Sequence, residues 1–325
     1  MSGQRFIVTG AKRNDSEFSM ENLAGSYQST IYEIDFDNES IVKKYVEESP
    51  DWNIYPEEYS FSFRGCTLAG DVFYTCNHSE ILKIDKKSFN VIDRISSTVF
   101  NDLHHVDLIN GKIAFASTGI DHIGFWEDGE VELHSVLPEG EGRVLDKEVD
   151  YRKISTKPHM SHPNYIFEID GKTWITRFQQ KDAICLEEPD KRMDIGFERP
   201  HDGLVVDGKV YFTTVNGSIV IFDAETQEKL EVHDLQSLYS QPKIGWCRGI
   251  EVVGDYAYVG LSRVRKTRSL ENLGFIADGW NAMIDSVKKI PPARIVKYDL
   301  KRRKIIKEMN FKNSQLSVLF SIKAI

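Results

Sequence analysis

The sequence predicts an all-β protein, a six-bladed β-propeller with four-stranded antiparallel blades, and two observations carry this prediction. Short apolar strands joined by tight Gly or Asp-Gly turns recur with a period of about forty residues, which is the length of one propeller blade. The clearest copies are DLHHVDLINGKIAFASTGIDHIGFWEDGEVELHSV (102–136) and PHDGLVVDGKVYFTTVNGSIVIFDAETQEKLEVHDL (200–235). The copies extend along the whole chain, so we expect a single domain over residues 1–325.

The second observation is that the two ends of the chain complement each other. Outer hairpins, with third strands that begin near an isoleucine, occur six times, whereas complete inner hairpins occur five times. RFIVTG (5–10) matches a second strand, and SVLFSIKAI (317–325) matches a first strand with nothing after it. Pairing them completes blade one and removes the exposed sheet edges of an open array. The predicted third strands begin near Ile31, Ile81, Ile123, Ile184, Ile219 and Ile295, and the predicted inner strands cover about 62–69, 103–109, 164–170, 202–207 and 248–253.

Composition excludes several classes of function. A net charge of −9 argues against a nucleic-acid partner, because phosphate contacts need surplus Lys and Arg. No stretch reaches the roughly 18 apolar residues of a membrane span, and MSGQRFIVTG lacks a signal-peptide core, so we expect a cytoplasmic protein without a membrane partner. The four cysteines have no CxxC spacing, which predicts free thiols.

The long connections are all predicted on one face of the ring. Segments 11–28, 46–61, 137–163, 234–247 and 262–292 join second to third strands or one blade to the next, whereas every other connection is short. Long loops in compact domains are often functional, and these surround the mouth of the axial channel. Within 262–292, apolar residues at helical spacing predict a short lid helix at about 279–290, or a helix that only caps the ring.

The residues that begin the inner strands are predicted to meet at this mouth. Alignment on the inner turns brings one level together, with His162 beside it: Phe63-Arg64, His104-His105, Asn164-Tyr165, His201-Asp202 and Cys247-Arg248. Imidazoles with amide or carboxylate oxygens suit a divalent metal such as zinc, iron, manganese or nickel, which makes a divalent metal ion the candidate cofactor. The candidate ligands are His105, His162, Asn164 and His201, with Asp202 as an alternative oxygen donor. The competing interpretation is a hydrogen-bonded structural ring.

Arginines at the same level predict an anionic small molecule as the ligand. The planar guanidinium group of Arg binds carboxylate, sulfate or phosphate through two parallel hydrogen bonds. The segment SRVRKTR (262–268) is unusually basic for an acidic chain. The candidate substrate-binding residues are Arg64, Arg248, Arg263, Arg265 and Tyr165. Alternatively, these arginines pair with loop carboxylates such as Asp255, Glu271 or Asp278.

Histidines at the mouth are the natural proton carriers if the protein is an enzyme. The candidate catalytic residues are His105, His162 and His201, with Asp202 to orient or accept from one of them. His201 and Asp202 are adjacent, so in a regular strand their side chains face opposite ways, and an irregular strand start is needed to bring both inward.

The segment GWCRGIEVVGDYAYVGLSRVRKTR (245–268), with 200–214 and 104–123, resembles an uncharacterised family of bacterial β-propeller proteins, a domain of unknown function. The RG–GDYAxVGLSRxR pattern is its most specific part; the resemblance implies the propeller fold and marks as positions of interest His105, His201, Arg248, Ser262, Arg263 and Arg265. HPN (162–164) and HDGL (201–204) are more loosely similar to the gluconolactonase and senescence-marker propellers, which hold a divalent cation above the axis. Asn164 and Asp202 match that pattern, but Arg64 stands where its early-blade Glu is expected.

The sequence therefore predicts an enzyme acting on an anionic small molecule, a sugar acid or sugar phosphate, in a hydrolase, lyase or isomerase reaction at the channel mouth. Two alternatives stay open: a propeller that binds a protein or peptide across this face, and a ligand sensor or carrier without turnover. Long insertions obstruct a flat docking face and favour a pocket.

Overall fold

The architecture is seen in a computed structural model, which describes residues 3–13, 27–48, 61–240, 244–263, 291–312, 314 and 316–325. These residues form six antiparallel sheets of four strands each. The predicted fold class is thereby confirmed, and five of the sheets consist of four strands that are consecutive in the chain.

The strands are numbered in chain order, and each blade is given from its innermost strand outward. Blade one contains β24 (Val318–Ala324), β1 (Arg5–Arg13), β2 (Tyr27–Asp35) and β3 (Ser40–Glu48). Blade two contains β4 (Cys66–Ala69), β5 (Val72–Cys76), β6 (Ile81–Asp85) and β7 (Val91–Ile95). Blade three contains β8 (Leu103–Ile109), β9 (Lys112–Ser117), β10 (His122–Glu127) and β11 (Glu130–Ser135).

The second half of the ring follows the same plan. Blade four contains β12 (Pro163–Ile169), β13 (Lys172–Arg177), β14 (Asp182–Cys185) and β15 (Arg192–Asp194). Blade five contains β16 (Pro200–Val206), β17 (Lys209–Thr214), β18 (Ser218–Asp223) and β19 (Lys229–Asp234). Blade six contains β20 (Trp246–Val253), β21 (Tyr256–Ser262), β22 (Arg294–Asp299) and β23 (Lys304–Asn310).

Blade one is closed by the C-terminal strand, as predicted. β24 pairs with β1 in antiparallel register, with Phe6 opposite Ala324 and Thr9 opposite Ser321. The innermost strands also contact one another in sequence around the ring, and β24 lies between β20 and β4. Blades one and four are therefore on opposite sides of the axis.

Each junction between neighbouring blades has its own apolar cluster. Phe6 of blade one packs on Tyr258 of blade six with ring centroids 4.5 Å apart, and Phe100 packs on Phe115 at 4.7 Å near the junction of blades two and three. Burial of one such side chain contributes about 1.5–3 kcal/mol. The ring is thus stabilised by contacts between blades as well as by hydrogen bonds within them.

The inner hairpins turn as tightly as the sequence predicts. In blade three, Asn110 and Gly111 have φ of 51° and 79°, and in blade four Asp170 and Gly171 have φ of 49° and 75°. Two successive left-handed residues form the turn whose twist matches that of paired strands, and Asn, Asp and Gly adopt this conformation most readily. Because these turns are short, little of the chain projects from the face opposite the long segments.

Several predicted boundaries differ from the structure. The inner strand predicted over 62–69 begins only at Cys66, and β1 and β2 extend into the segment 11–28 that was assigned to a loop. Segment 137–163 contains a short 3-10 helix, Tyr151–Lys153, before β12 begins. The lid helix predicted at about 279–290 lies outside the described residues. Within the described ranges, none of the helices has the length and apolar character needed to cross a membrane.

The four cysteines are buried and form no disulfide. Burial raises the pKa of the Cys66 and Cys76 thiols to about 12. Cys247 has its pKa raised by the same cause, so its Arg248 neighbour does not create a reactive thiolate.

Candidate active site at the channel mouth

The inner strands start irregularly at the face that carries the long segments. Asp102, His162, Asp202 and Gly249 have φ of 54°, 58°, 64° and 79°, and the pairing register shifts in all four blades concerned. A bulge inserts an unpaired residue and re-aims the side chains beside it. This irregularity supplies the local geometry that the adjacent His201 and Asp202 require.

Arg64 is the best-defined cation of the mouth. Its Nη1 lies 2.6 Å from Oδ1 of Asp102 and donates to the Leu103 carbonyl at 2.9 Å. The guanidinium and the carboxylate are 4% and 6% exposed, so this is a buried ion pair between blades two and three. Nδ1 of His104 lies 3.0 Å from the same Nη1 and 2.7 Å from the Asp102 carbonyl. His104 is therefore part of the mouth.

His162 is positioned by a carboxylate on the neighbouring blade. Oδ1 of Asp121 accepts from the backbone N–H groups of Ser161 and His162 at 2.8 Å each, and Oδ2 accepts from Met160 at 2.9 Å. Three converging amides on one carboxylate fix the backbone just before β12. The His162 ring then lies 4.7 Å from that of His104, and its Nδ1 lies 2.9 Å from Nδ1 of His159.

Aromatic rings form the remaining walls of the mouth. The Phe178 ring lies 5.0 Å from that of His162 and 5.5 Å from that of His201. The guanidinium of Arg248 is 4.7 Å from the Trp246 ring and 4.5 Å from the Phe320 ring, so cation–π contacts hold it on both sides. The mouth therefore combines imidazoles, guanidinium groups and apolar planes.

The imidazoles of the mouth are neutral at pH 7. Burial, followed by the charge of Arg64, lowers the pKa of His104 well below its usual value, and burial with the neighbouring His159 lowers that of His162 to about 3. Burial and then Arg248 lower the pKa of His201 in the same way. A neutral imidazole has one N–H donor and one lone-pair acceptor, so it takes either role in a hydrogen bond.

One level deeper, a lysine lies among polar groups of three other blades. Nζ of Lys323 donates to Oη of Tyr165 at 3.1 Å, and its charge acts on Asp107 and Glu251. Burial raises the pKa of both carboxyls, and Tyr165, Glu251 and Asp107 together raise the pKa of Lys323. This level closes the channel beneath the mouth.

His105 belongs to this deeper level. Its ring stacks on Tyr165 with centroids 3.6 Å apart, its Nδ1 lies 3.4 Å from the Ile166 amide, and it is fully buried. A Cβ on Gly65 would lie 2.3 Å from Cδ2 of His105, so Gly is required at this position. The predicted grouping of His105 with His162 and His201 differs from this arrangement, because the bulge in β8 turns His104 into the mouth.

Asp202 and Asn164 form part of the wall between blades. Asp202 accepts from Oγ1 of Thr213 and from the Gly249 amide at 3.0 Å, and burial raises its pKa to about 6. Nδ2 of Asn164 donates to the Pro200 carbonyl at 2.9 Å. Asp202 thus braces blades five and six and does not touch His201 through a hydrogen bond among the described residues.

The two candidate residues of SRVRKTR, Arg263 and Arg265, have different outcomes. The Arg263 amide donates to the Ser317 carbonyl at 3.0 Å, which places Arg263 at the end of β21 beside the start of the closing strand. Arg265 lies outside the described residues. The mouth as described therefore brings together four of the predicted site residues: Arg64, His162, His201 and Arg248.

The candidate metal site does not fit this arrangement. Across the described ranges, no group of three or more His, Cys, Asp and Glu side chains is arranged to hold a metal ion. The predicted histidine ligands are divided between levels, since His105 stacks on Tyr165 beneath the mouth that contains His162 and His201. We therefore derive no chemistry through a metal.

Sequence reasoning missed several residues of the mouth. Asp102 and Asp121 act through hydrogen bonds that depend on left-handed backbone, and Phe320 and Lys323 come from the closing strand. Regular alternation in SVLFSIKAI (317–325) would place Phe320 and Lys323 on opposite faces, and the irregular pairing of β24 at Phe320 had no sequence signal. Phe178, after β13, had no local signal.

Comparisons with known proteins establish the fold and nothing finer. No protein-family model matches the sequence, and no curated protein matches it, so the family resemblance of segment 245–268 stays a prediction. Among solved structures, a protein of unknown function from Bacteroides caccae is 12% identical with a TM-score of 0.61, over 100% of this chain and 99% of that chain.

Two further structures extend the comparison. A chain of a nidogen/laminin complex is 10% identical with a TM-score of 0.57, over 98% of this chain and 97% of that chain. Virginiamycin B lyase from Staphylococcus aureus is 14% identical with a TM-score of 0.50, over 97% of this chain and 86% of that chain. The chain is therefore a six-bladed β-propeller whose fold is similar to that of proteins as different as a lyase and a chain of the nidogen/laminin complex.

Proposed function

We propose that the protein is an enzyme that binds an anionic small molecule at the channel mouth and moves a proton with the mouth histidines. One observation carries this proposal: neutral imidazoles share a recess with guanidinium groups, since both Arg64 and Arg248 act on the pKa of His162. A sugar acid or sugar phosphate is the substrate class, and lyase, isomerase or hydrolase chemistry is the reaction class.

The charge of the recess supports an anion. The charged groups of the mouth are the guanidinium groups of Arg64 and Arg248 and the carboxylates of Asp102 and Asp121. Arg64 offsets the charge of Asp102, and three backbone N–H groups offset that of Asp121, which leaves a positive field around Arg248, although the chain as a whole has a net charge of −9. A local positive field in an acidic protein attracts anions to one place.

The neutral imidazoles support proton transfer. An imidazole that is unprotonated at neutral pH can accept a proton, and a bound anion raises its pKa toward the range in which a general base is effective, while a second imidazole nearby supplies a donor for the return of the proton. Phe178 and Phe320 cover the sides and reduce access of water, which strengthens the polar contacts between the recess and a bound anion.

A binding screen tests the proposal. Calorimetry with a panel of sugar acids and sugar phosphates is expected to give at least one ligand whose affinity falls with ionic strength. Arg248→Met is expected to weaken it about tenfold or more, whereas Arg302→Met is not, because Arg302 is 70% exposed and pairs with Asp299 at an outer turn. Circular dichroism of both variants controls for folding, and absence of salt-sensitive binding in the wild type contradicts the proposal.

A turnover assay distinguishes an enzyme from a carrier or scaffold. The best ligand is incubated with wild-type protein and with His201→Asn, and products are followed by NMR. Loss of kcat in the variant with retained affinity supports proton transfer by the mouth histidines. Binding without product in the wild type supports a carrier or scaffold. Elemental analysis of the same sample tests the metal prediction directly.

A further inference from the structure

The hydrogen bonds of His104 fix its tautomer. Its Nδ1 lies 2.7 Å from the Asp102 carbonyl oxygen, which only accepts, so Nδ1 carries the proton. The nearby Nη1 of Arg64 is engaged with Oδ1 of Asp102 at 2.6 Å and with the Leu103 carbonyl at 2.9 Å, which account for its two hydrogens. Nε2 of His104 is therefore a bare lone pair.

The hydrogen bond between His159 and His162 gives His162 the opposite tautomer to that of His104. Their Nδ1 atoms are 2.9 Å apart, so one donates and the other accepts. Nε2 of His159 is buried and has no hydrogen-bond partner in the described ranges. A buried N–H without an acceptor is rarer than a buried acceptor without a donor, so His159 is protonated at Nδ1. His162 then accepts at Nδ1 and carries its proton on Nε2.

The two remaining nitrogens belong to rings that touch each other. The rings of His104 and His162 are in edge contact, with centroids 4.7 Å apart. Within the described part of the chain, neither Nε2 makes a hydrogen bond and neither is sealed from solvent. The mouth thus presents an acceptor on one ring and a donor on the ring that contacts it, near the Arg64 guanidinium.

We propose that this arrangement selects 2-hydroxy carboxylates, with the carboxylate on His162 Nε2–H and the arginines, and with the 2-hydroxyl donating to Nε2 of His104. This inference rests on the proposed function and names its substrate class. A carboxylate with a hydroxyl on the adjacent carbon presents an acceptor and a donor on neighbouring groups, as the two nitrogens require.

Phosphate groups are a poorer match. A fully ionised phosphate offers only acceptor oxygens, so one of them would face the lone pair of His104. His104 does not gain a proton readily to relieve that repulsion, because burial and Arg64 hold its pKa well below the usual value. The site is thus expected to rank sugar acids above sugar phosphates.

NMR of protein with ¹⁵N-labelled histidine tests the tautomers without any ligand. Long-range proton–nitrogen correlations are expected to show His104 protonated at Nδ1 and His162 at Nε2 at pH 7, with assignment by the variants His104→Asn and His162→Asn. The reverse tautomer at either residue overturns the inference, whatever the protein binds.

Calorimetry with D-gluconate, 2-deoxy-D-gluconate and D-glucose 6-phosphate tests the specificity. The wild type is expected to prefer gluconate to its 2-deoxy analogue about fivefold or more, the effect of one hydrogen bond. His104→Asn retains a donor for the Asp102 carbonyl but lacks the acceptor, so the ratio should fall to near one. His134→Asn, on outer strand β11, should leave the ratio unchanged.

The outcomes separate the two claims. Equal binding of the two acids, or preference for the phosphate with dependence on Arg248, overturns this inference while leaving the proposed function in place. Absence of binding by all three anions and by the wider panel contradicts both.

Discussion

Nζ of Lys323 lies 3.1 Å from Oη of Tyr165, so a side chain of β24 reaches across the channel axis to the opposite blade. The ammonium is accompanied by the carboxyl groups of Asp107 and Glu251 from two further blades. This contact crosses the axis beneath the mouth residues and forms the floor of the candidate site.

Replacement of Lys323 by Met is the first prediction. The change leaves two carboxyl groups in the channel without their cation, and we expect a loss of about 1–3 kcal/mol in the free energy of unfolding at pH 7. The loss should shrink as the pH is lowered from 7 to 5, because burial raises the pKa of Asp107 and Glu251 and these carboxyls then lose their charge at a higher pH than ordinary carboxyls. Urea denaturation at both pH values measures this effect.

Lys301→Met is the matched control for that experiment. Lys301 also pairs with a carboxylate, Asp255, but is 73% exposed, so its removal should change stability by no more than about 0.5 kcal/mol. Equal stability of Lys323→Met and wild type would show that the contact with Tyr165 does not support the ring.

The buried pair of Arg64 and Asp102 gives a second prediction. Removal of either partner leaves an uncompensated buried charge, so Arg64→Met and Asp102→Asn should each cost about 3–5 kcal/mol. Asn tolerates the left-handed backbone of Asp102, so the variant tests charge and not strain. The double variant should cost clearly less than the sum, and strict additivity in the denaturation cycle would contradict the coupling.

Acid sensitivity is the third prediction. Eight of the nine histidines, all within the described ranges, have a lowered pKa: His78, His104, His105, His122, His159, His162, His201 and His233. Below pH 6.5 these histidines bind protons in the unfolded chain but stay neutral in the folded ring. The free energy of unfolding must therefore fall as the pH falls from about 6.5.

The contribution of His162 to this pH dependence has an expected size. Its pKa in the folded ring is about 3, so it contributes about 1.4 kcal/mol per pH unit between pH 6 and 4. His162→Asn should lower the slope of unfolding free energy against pH by that amount. An unchanged slope in His162→Asn would place its pKa near the normal value.

Asp202 acts in the opposite direction and provides a fourth prediction. Its pKa rises from 3.8 to about 6 on folding, so between these values the folded state binds the additional proton and gains stability as the pH falls. Asp202→Asn removes this gain. The variant should therefore be more acid-sensitive than the wild type between pH 6 and 4, by up to about 1.4 kcal/mol per pH unit in urea denaturation.

Asp121 provides a fifth prediction, about the site. Asp121→Ala removes the acceptor for the amides of Met160, Ser161 and His162 and should release the segment before β12. We expect faster hydrogen exchange at these amides and weaker ligand binding, with the far side of the ring unchanged. Asp121→Asn keeps one acceptor oxygen and should have a smaller effect. Unaltered exchange in Asp121→Ala would contradict this positioning role.

Much of the ring could be predicted from the sequence because its turns are local. Asn110-Gly111 and Asp170-Gly171 dictate tight hairpins, and the two unmatched ends left one way to close the sheet. The starts of the inner strands were less predictable. There the bulge in β8 that turns His104 into the mouth is accompanied by hydrogen bonds to Arg64 of another blade. Such contacts cannot be predicted from the local sequence.

The residue types of the candidate site could be predicted from the sequence, but the level of each residue along the channel axis could not. The structure places Arg64, His162, His201 and Arg248 at the same end of the ring, because each lies at the start of an inner strand. His105 was assigned one level too high, since alignment of turns does not count the additional residue of a bulge.

The pairing of β24 with β1 also has a consequence for biosynthesis. A ribosome releases Arg5–Arg13 first, but the partner strand of β1, with Phe320 and Lys323, emerges only after the other five blades. A nascent chain therefore has neither the floor nor one aromatic wall of its recess. The candidate site is complete only once β24 has been synthesised and has paired with β1.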